Sequence, residues 1–140
     1  MKITVASLSE LPAAAEAVLK FLKDHDRKFV IFRGDMGYGK TTLINELLKQ
    51  MGVEEAGSSP TFSILNEYFS VNYGIIFHFD FYRIEDEIEA YDIGIEEIFE
   101  EDAYIFIEWP ERIENLLSSD IVCLTIRLEE KTRIFELEVL

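Results

Sequence analysis

The chain has 140 residues, 49% hydrophobic and 29% charged; this is ordinary globular usage, which excludes a disordered chain and predicts one domain over residues 1–140. Its 13 Lys and Arg face 28 Asp and Glu, a net charge of −15, which excludes a broad surface that grips RNA or DNA by its phosphates. The single cysteine, Cys123, closes no disulfide within the chain, no Cys/His cluster has zinc spacing, and no apolar run approaches the roughly 18 residues of a membrane span. The opening Met1-Lys2-Ile3-Thr4-Val5 leads into a mixed helical stretch rather than the apolar segment of a secretory leader. A soluble, cytoplasmic protein with no membrane partner is expected.

In chain order, Ser7-Leu8-Ser9-Glu10 has capping-box spacing. Leu11, Ala15, Val18 and Leu22 then recur at helical spacing and predict a helix to about Lys23. Phe29-Val30-Ile31-Phe32 reads as a buried strand ending at the Gly34 turn. A second helix starts at Lys40, with Leu43, Ile44, Leu47, Leu48 and Met51 inward and Gly52 as its stop. Thr61 to Phe69 and Ile75 to Phe81 read as strands joined across Asn72-Tyr73-Gly74. An acidic amphipathic stretch follows, in which Ile88, Tyr91, Ile95, Ile98 and Phe99 line one face and Gly94 splits two short helices. Tyr104-Ile105-Phe106-Ile107 is a further buried strand closing on Glu108-Trp109-Pro110, and a short helix covers Ile113 to Leu117. The end is a strand pair, Ile121 to Arg127 and Arg133 to Val139, turned at Glu129-Glu130-Lys131-Thr132. This succession predicts an α/β layer sandwich with a mixed sheet; with the glycine loop described next, the expectation is a P-loop NTPase-like three-layer sandwich, its mixed sheet mainly parallel and ending in a C-terminal antiparallel hairpin.

Gly34-Asp35-Met36-Gly37-Tyr38-Gly39-Lys40-Thr41 fits G-x-x-x-x-G-K-[ST] between a predicted strand and a predicted helix. Glycines bring backbone N–H groups onto phosphate oxygens without Cβ interference, and the positive end of the helix adds to that field. Lys40 is placed to reach the β- and γ-phosphates, the Thr41 hydroxyl to complete a Mg²⁺ shell, and Thr42 to meet the α- and β-phosphates. A chance match in a chain this long arises roughly once in a few hundred. Such a loop needs a further carboxylate at a strand end. Glu108, which ends the cleaner apolar strand, is the favoured metal carboxylate, and Asp80, after Ile75-Ile76-Phe77-His78-Phe79, is a candidate to position water or act as a switch.

Four segments together, Gly34 to Thr42, Ser59-Pro60-Thr61-Phe62, His78-Phe79-Asp80-Phe81-Tyr82-Arg83 and Ile107-Glu108-Trp109-Pro110, resemble the TsaE (YjeE) family. These are small bacterial P-loop ATPases of the pathway that makes N6-threonylcarbamoyladenosine in tRNA. The segments lie in family order and cover nearly the whole chain. The resemblance implies an ATP phosphate site at Gly37, Tyr38, Gly39, Lys40, Thr41 and Thr42, and a Mg²⁺ site at Thr41 and Glu108. It implies a γ-phosphate sensor of switch-I type at Ser59, Pro60 and Thr61, and catalytic roles for Lys40, Asp80 and Glu108. Trp109 resembles the family tryptophan beside the metal carboxylate. Ser9 and Glu10 fall where family members approach adenine, and Arg133 falls on a strand that touches nucleotide. Tyr38 stands where the family usually has Ala, a ring large enough to cover the phosphates or shift the loop.

The family reading also implies partners, the TsaB and TsaD proteins. ATP binding and hydrolysis would reset that complex during formation of the threonylcarbamoyl group on adenosine 37 of tRNAs reading codons that begin with A. The tRNA would be met only indirectly, through those partners. Activity alone should be slow, because no obvious arginine finger or water-orienting glutamine is present. Two alternatives stay open: a small-molecule P-loop kinase, and a non-hydrolysing switch in which nucleotide binding alone controls assembly.

His78 reads more readily as a hydrogen-bonded core residue than as a catalytic acid. Tyr82 and Arg83 read as a partner or nucleotide contact, with a local ion pair equally open for Arg83. Trp109 taken by itself reads as core packing or as a lid, and Cys123 as a small apolar core residue. From Ile84 to Glu111 there are 12 acidic residues and no Lys or Arg, either a solvated face or a docking surface for a basic partner.

Overall fold

The computed structural model describes residues 1–53 and 64–140. Its strands are β1 (Lys2–Val5), β2 (Phe29–Arg33), β3 (Leu65–Ser70), β4 (Gly74–Asp80), β5 (Tyr104–Glu108), β6 (Val122–Glu129) and β7 (Thr132–Val139). Its α-helices are α1 (Leu11–Asp24), α2 (Lys40–Gln50), α3 (Glu87–Asp92) and α4 (Ile95–Phe99). Short 3-10 segments cover Leu8–Glu10 and Pro110–Leu116.

All seven strands form one mixed sheet in the order β1-β7-β6-β2-β5-β4-β3. The middle four, β6, β2, β5 and β4, run parallel, while β1–β7, β7–β6 and β4–β3 pair antiparallel. Strand β2 is central because its apolar residues need cover on both faces: Val30, Ile31 and Phe32 are fully buried. Val30 and Phe32 join the cluster formed with α1 and α2, and Ile31 joins the opposite cluster with Ile84, Ala90, Ile95 and Ile113. The sheet is therefore the middle of three layers.

Helix α2 buries Leu43, Ile44, Leu47 and Leu48 completely, and Met51 just past its end is buried with them. Each such side chain contributes about 1.5–3 kcal/mol relative to exposure, so this face fixes how the helix start sits against the sheet. On α1, Ala15, Val18 and Leu22 are buried as their spacing predicts. Gly94, at φ +80°, separates α3 from α4, a conformation that favours glycine. None of the helices among the described residues is long and apolar enough to cross a membrane.

Some expectations need correction. Ile88 and Tyr91 do not line an inward face: they are 62% and 44% exposed, and Ala90 takes the buried position on α3. A helix of six residues holds fewer than two turns, so packing of the flanking Ile84 and Ile95 decides its rotation. The segment expected to be a helix over Ile113 to Leu117 is a 3-10 stretch from Pro110 to Leu116 with a non-helical break at Ile113. The hairpin turn lies at 71–73, one residue before the expected tip, because Ser70 Oγ accepts from the N–H groups of Asn72 and Tyr73 at 3.2 Å. Strand β1, which pairing with β7 creates, was not among the expected strands. The part of the expected Thr61 to Phe69 strand before Ile64 lies outside the described residues.

Candidate functional site

Strand β2, the following loop and the start of α2 form a strand–loop–helix cradle. Gly39 has φ +97°, a left-handed backbone that favours glycine, and a Cβ there would crowd Arg133 Nε at 3.2 Å. Arg133, on β7, donates from Nε to the Tyr38 carbonyl at 2.9 Å and braces the loop. Arg33, at the end of β2, pairs with Glu111 at 3.1 Å and Glu114 at 2.7 Å, which ties the loop's other end to the 3-10 segment.

A cleft of about 340 Å³ opens over this loop. It is lined by Gly37, Gly39, Lys40, Thr41, Thr42, Asp80, Glu108, Trp109 and Arg133 from the expected set. Strand alternation explains the carboxylates. In the β4–β5 register Asp80 sits beside Glu108 and His78 beside Phe106, so His78, Asp80 and Glu108 share the face that Ile76 and Phe106 present to the α1–α2 layer.

Glu108 is the hub. Its Oε1 accepts from Thr41 Oγ1 at 2.7 Å and its Oε2 lies 2.7 Å from His78 Nε2. Both His78 and Glu108 are buried. Asp80 Oδ1 accepts from the Tyr82 N–H at 3.0 Å. Burial raises the Asp80 carboxyl above its ordinary value, and the Glu108 charge adds to the rise.

Lys40 is 6% exposed. Its Nζ donates to the Gly34 carbonyl and lies 3.9 Å from the centroid of the Trp109 ring, a cation–π contact. Burial lowers the Lys40 ammonium from its ordinary value, opposed by the nearby Glu108, Glu111 and Asp80 charges. An anion in the cleft would relieve that cost. Trp109 holds φ +58°, a left-handed backbone rare for so large a side chain, and its ring packs on Tyr82 at 5.0 Å between centroids.

The donor set fits a magnesium–triphosphate group. A hydroxyl and a carboxylate, both hard oxygen donors, converge within hydrogen-bond distance at the helix start. Among the described residues no group of three or more His, Cys, Asp or Glu forms a metal cage. Magnesium at such sites is shared with phosphates and water, so two protein oxygens suffice.

Other expected residues lie elsewhere. Ser9 and Glu10 are not part of the cleft lining. The Glu10 carboxylate accepts from the N–H groups of Ala6 and Ser7 at 2.7 and 3.0 Å, and Ser9 Oγ is 2.8 Å from Ser7 Oγ, so both serve the local turn. The Tyr38 ring packs against the α1–α2 core instead of lining the cleft. Ser59, Pro60 and Thr61 lie outside the described residues. Arg83 forms no ion pair among the described residues and is exposed. Asp35 and Met36 also line the cleft; their only sequence signal was lying at variable positions of the loop pattern.

Fold and site together define an α/β protein built on a strand–glycine loop–helix cradle. The chain belongs to the TsaE family: the family model described as "Threonylcarbamoyl adenosine biosynthesis protein TsaE" matches residues 5–135. It is 35% identical over 118 residues to the tRNA threonylcarbamoyladenosine biosynthesis protein TsaE of Haemophilus influenzae, covering 83% of this chain and 74% of the relative. The protein of that name from Bacillus subtilis is 33% identical over 129 residues, 91% of this chain and 77% of the relative. The crystal structure of Bacillus subtilis YdiB superposes with a TM-score of 0.71 at 22% identity, covering 96% of this chain and 82% of that one, and shows the same fold.

Proposed function

We propose that the chain is a Mg²⁺-dependent ATPase that serves tRNA threonylcarbamoyladenosine biosynthesis, as its family membership suggests. The observation that carries the ATPase reading is the pair Thr41 and Glu108, bonded at 2.7 Å at the mouth of a glycine cradle that also holds the buried Lys40.

In this reading the loop N–H groups and the start of α2 hold the phosphates. Lys40 leaves the Gly34 carbonyl and Trp109 ring for the phosphate oxygens. Thr41 and Glu108 would hold the magnesium ion, which supplies charge neutralisation at the β- and γ-oxygens when bound. Asp80, beside Glu108 in the register, orients the attacking water.

The partners in this proposal are the TsaB and TsaD proteins. The α3–α4 region supports protein docking: Ile88 and Tyr91, three apart on α3, are exposed within a run of acids that contains no Lys or Arg. A complementary basic surface would be steered to it. Net charge −15 fits a subunit that leaves tRNA to those partners.

Calorimetric titration with ATP and ADP, with and without Mg²⁺, followed by phosphate release alone and with TsaB and TsaD, tests this. Mg²⁺-dependent binding and partner-stimulated release are expected. No nucleotide binding in any mixture overturns it. Phosphate passing to a metabolite would indicate a kinase, and assembly without release a switch.

A further inference from the structure

We propose that His78 is a positioning residue for the metal carboxylate: it anchors one oxygen of Glu108 from inside the protein so that the other stays aimed into the cleft. The inference rests on the Mg²⁺-nucleotide reading above and assigns a division of labour within that site.

His78 is fully buried in β4, with Phe77 and Phe79 on either side of it along the strand. Its Nε2 is 2.7 Å from Glu108 Oε2. A carboxylate only accepts, so Nε2 carries the shared hydrogen. The other ring nitrogen, Nδ1, is buried and has no partner among the described residues. A histidine serving general core packing would satisfy both nitrogens where it can; this one makes a single side-chain bond, to the carboxylate that also meets Thr41.

The two oxygens of Glu108 differ. Oε2 is held from behind by an imidazole that packing immobilises. Oε1 meets Thr41 Oγ1 at 2.7 Å, and both residues line the cleft. The Thr41 hydroxyl is a rotor with lone pairs to offer a cation. When that hydroxyl turns to a cation, Oε1 loses its hydrogen bond, and among the described residues His78 is then what keeps the carboxylate plane in place. Partners that orient a metal-binding carboxylate from outside the coordination sphere typically change metal affinity by about 10–100-fold when removed.

The test compares His78→Leu, which removes the anchor, with His78→Gln, whose side-chain amide restores an N–H donor. Binding of ATP is followed by calorimetry across a Mg²⁺ series, together with Mg²⁺-free ATP binding. The midpoint of the Mg²⁺ effect should rise at least about tenfold in His78→Leu and recover substantially in His78→Gln, with Mg²⁺-free affinity unchanged. An unchanged midpoint in His78→Leu overturns the proposal, as does an equal loss of Mg²⁺-free affinity. A parent protein that binds ATP without any Mg²⁺ effect overturns the Mg²⁺-ATPase reading and this inference with it.

A second measurement needs no variant and no ligand. Nitrogen-15 spectra of the parent protein alone should show hydrogen on Nε2 of His78. Hydrogen on Nδ1 with a bare Nε2 overturns the proposal even if His78→Leu fails to fold.

Discussion

Asp80 and Glu108 are direct partners in the parallel β4–β5 register, so two carboxylates leave the sheet side by side at one edge of the cleft. Among the described residues only Glu108 of the two has close side-chain partners, Thr41 and His78; the Asp80 carboxylate accepts from one backbone N–H there. That asymmetry separates their expected roles.

For Asp80 it predicts a gain in stability on neutralisation. Burial raises its folded carboxyl above the ordinary value of 3.8, so its ionised form costs folding free energy at neutral pH. The cost fades as pH falls through the folded value and is absent below about pH 3.8, where both states are protonated. Asp80→Asn keeps an oxygen for the Tyr82 N–H and should melt higher than the parent at neutral pH, the gap closing toward acid. Phosphate release should fall. Melting curves across pH decide it; a gap that is constant or widens toward acid counts against the assignment.

For Glu108 the neighbours suffer first. Glu108→Ala leaves His78 Nε2 and Thr41 Oγ1 without this acceptor; the unpaired donor of the buried His78 costs about 1–3 kcal/mol, while Thr41, which lines the cleft, can turn to water. Glu108→Gln keeps much of that bonding but loses the charge. Both variants should lose the Mg²⁺ effect on ATP binding, with only the Ala variant markedly destabilised in denaturant unfolding. A Gln variant with the parent's Mg²⁺ dependence would remove Glu108 from the metal site.

Lys40 and Trp109 can be read together, because the ammonium lies 3.9 Å from the ring centroid and Trp109 is the single tryptophan. Moving Lys40 onto phosphates should change tryptophan emission. Lys40→Ala should weaken ATP binding by at least about tenfold, since a charge-assisted hydrogen bond is worth about 1.5–3 kcal/mol. Trp109→Phe should bind while losing the signal. Calorimetric binding with unaltered emission would show that the ammonium keeps its place over the ring.

The α3 surface carries a separate prediction. Removing Ile88 and Tyr91 together, each to Ser, should weaken capture by TsaB and TsaD roughly tenfold or more if they are central contacts. ATP affinity should not change, since neither residue lines the cleft. Surface-captured partner at varying concentration gives the answer, and unchanged capture places the docking surface elsewhere.

Much of this architecture was legible because local and global signals agree. The Phe29 to Phe32 and Tyr104 to Ile107 runs are apolar throughout, as strands covered on both faces must be. The inward residues of α2 recur at helical spacing, and the glycine pattern sits between these two signals. β1 was not legible: it is four residues long with Lys2 and Thr4 exposed, and pairing with β7 makes it a strand. Ile88 and Tyr91 misled because periodicity cannot fix the rotation of so short a helix. In the site, residue types marked Lys40, Thr41, Asp80 and Glu108. The His78–Glu108 bond was hidden, since it depends on the register of two strands whose sequences are separated by α3 and α4. The backbone twist at Trp109 left no trace in composition at all.

The placement of β2 bears on how the molecule comes into being. Its neighbours on both sides arrive late in the chain: Phe29 pairs with Ile105, and Val30 with Val122. A chain still emerging from the ribosome thus holds the glycine loop long before it holds Glu108. Closing such distant contacts is slow and sets the pace of assembly. A nucleotide that needs the finished cleft would leave that pace unaltered and instead retard the opening of the mature protein.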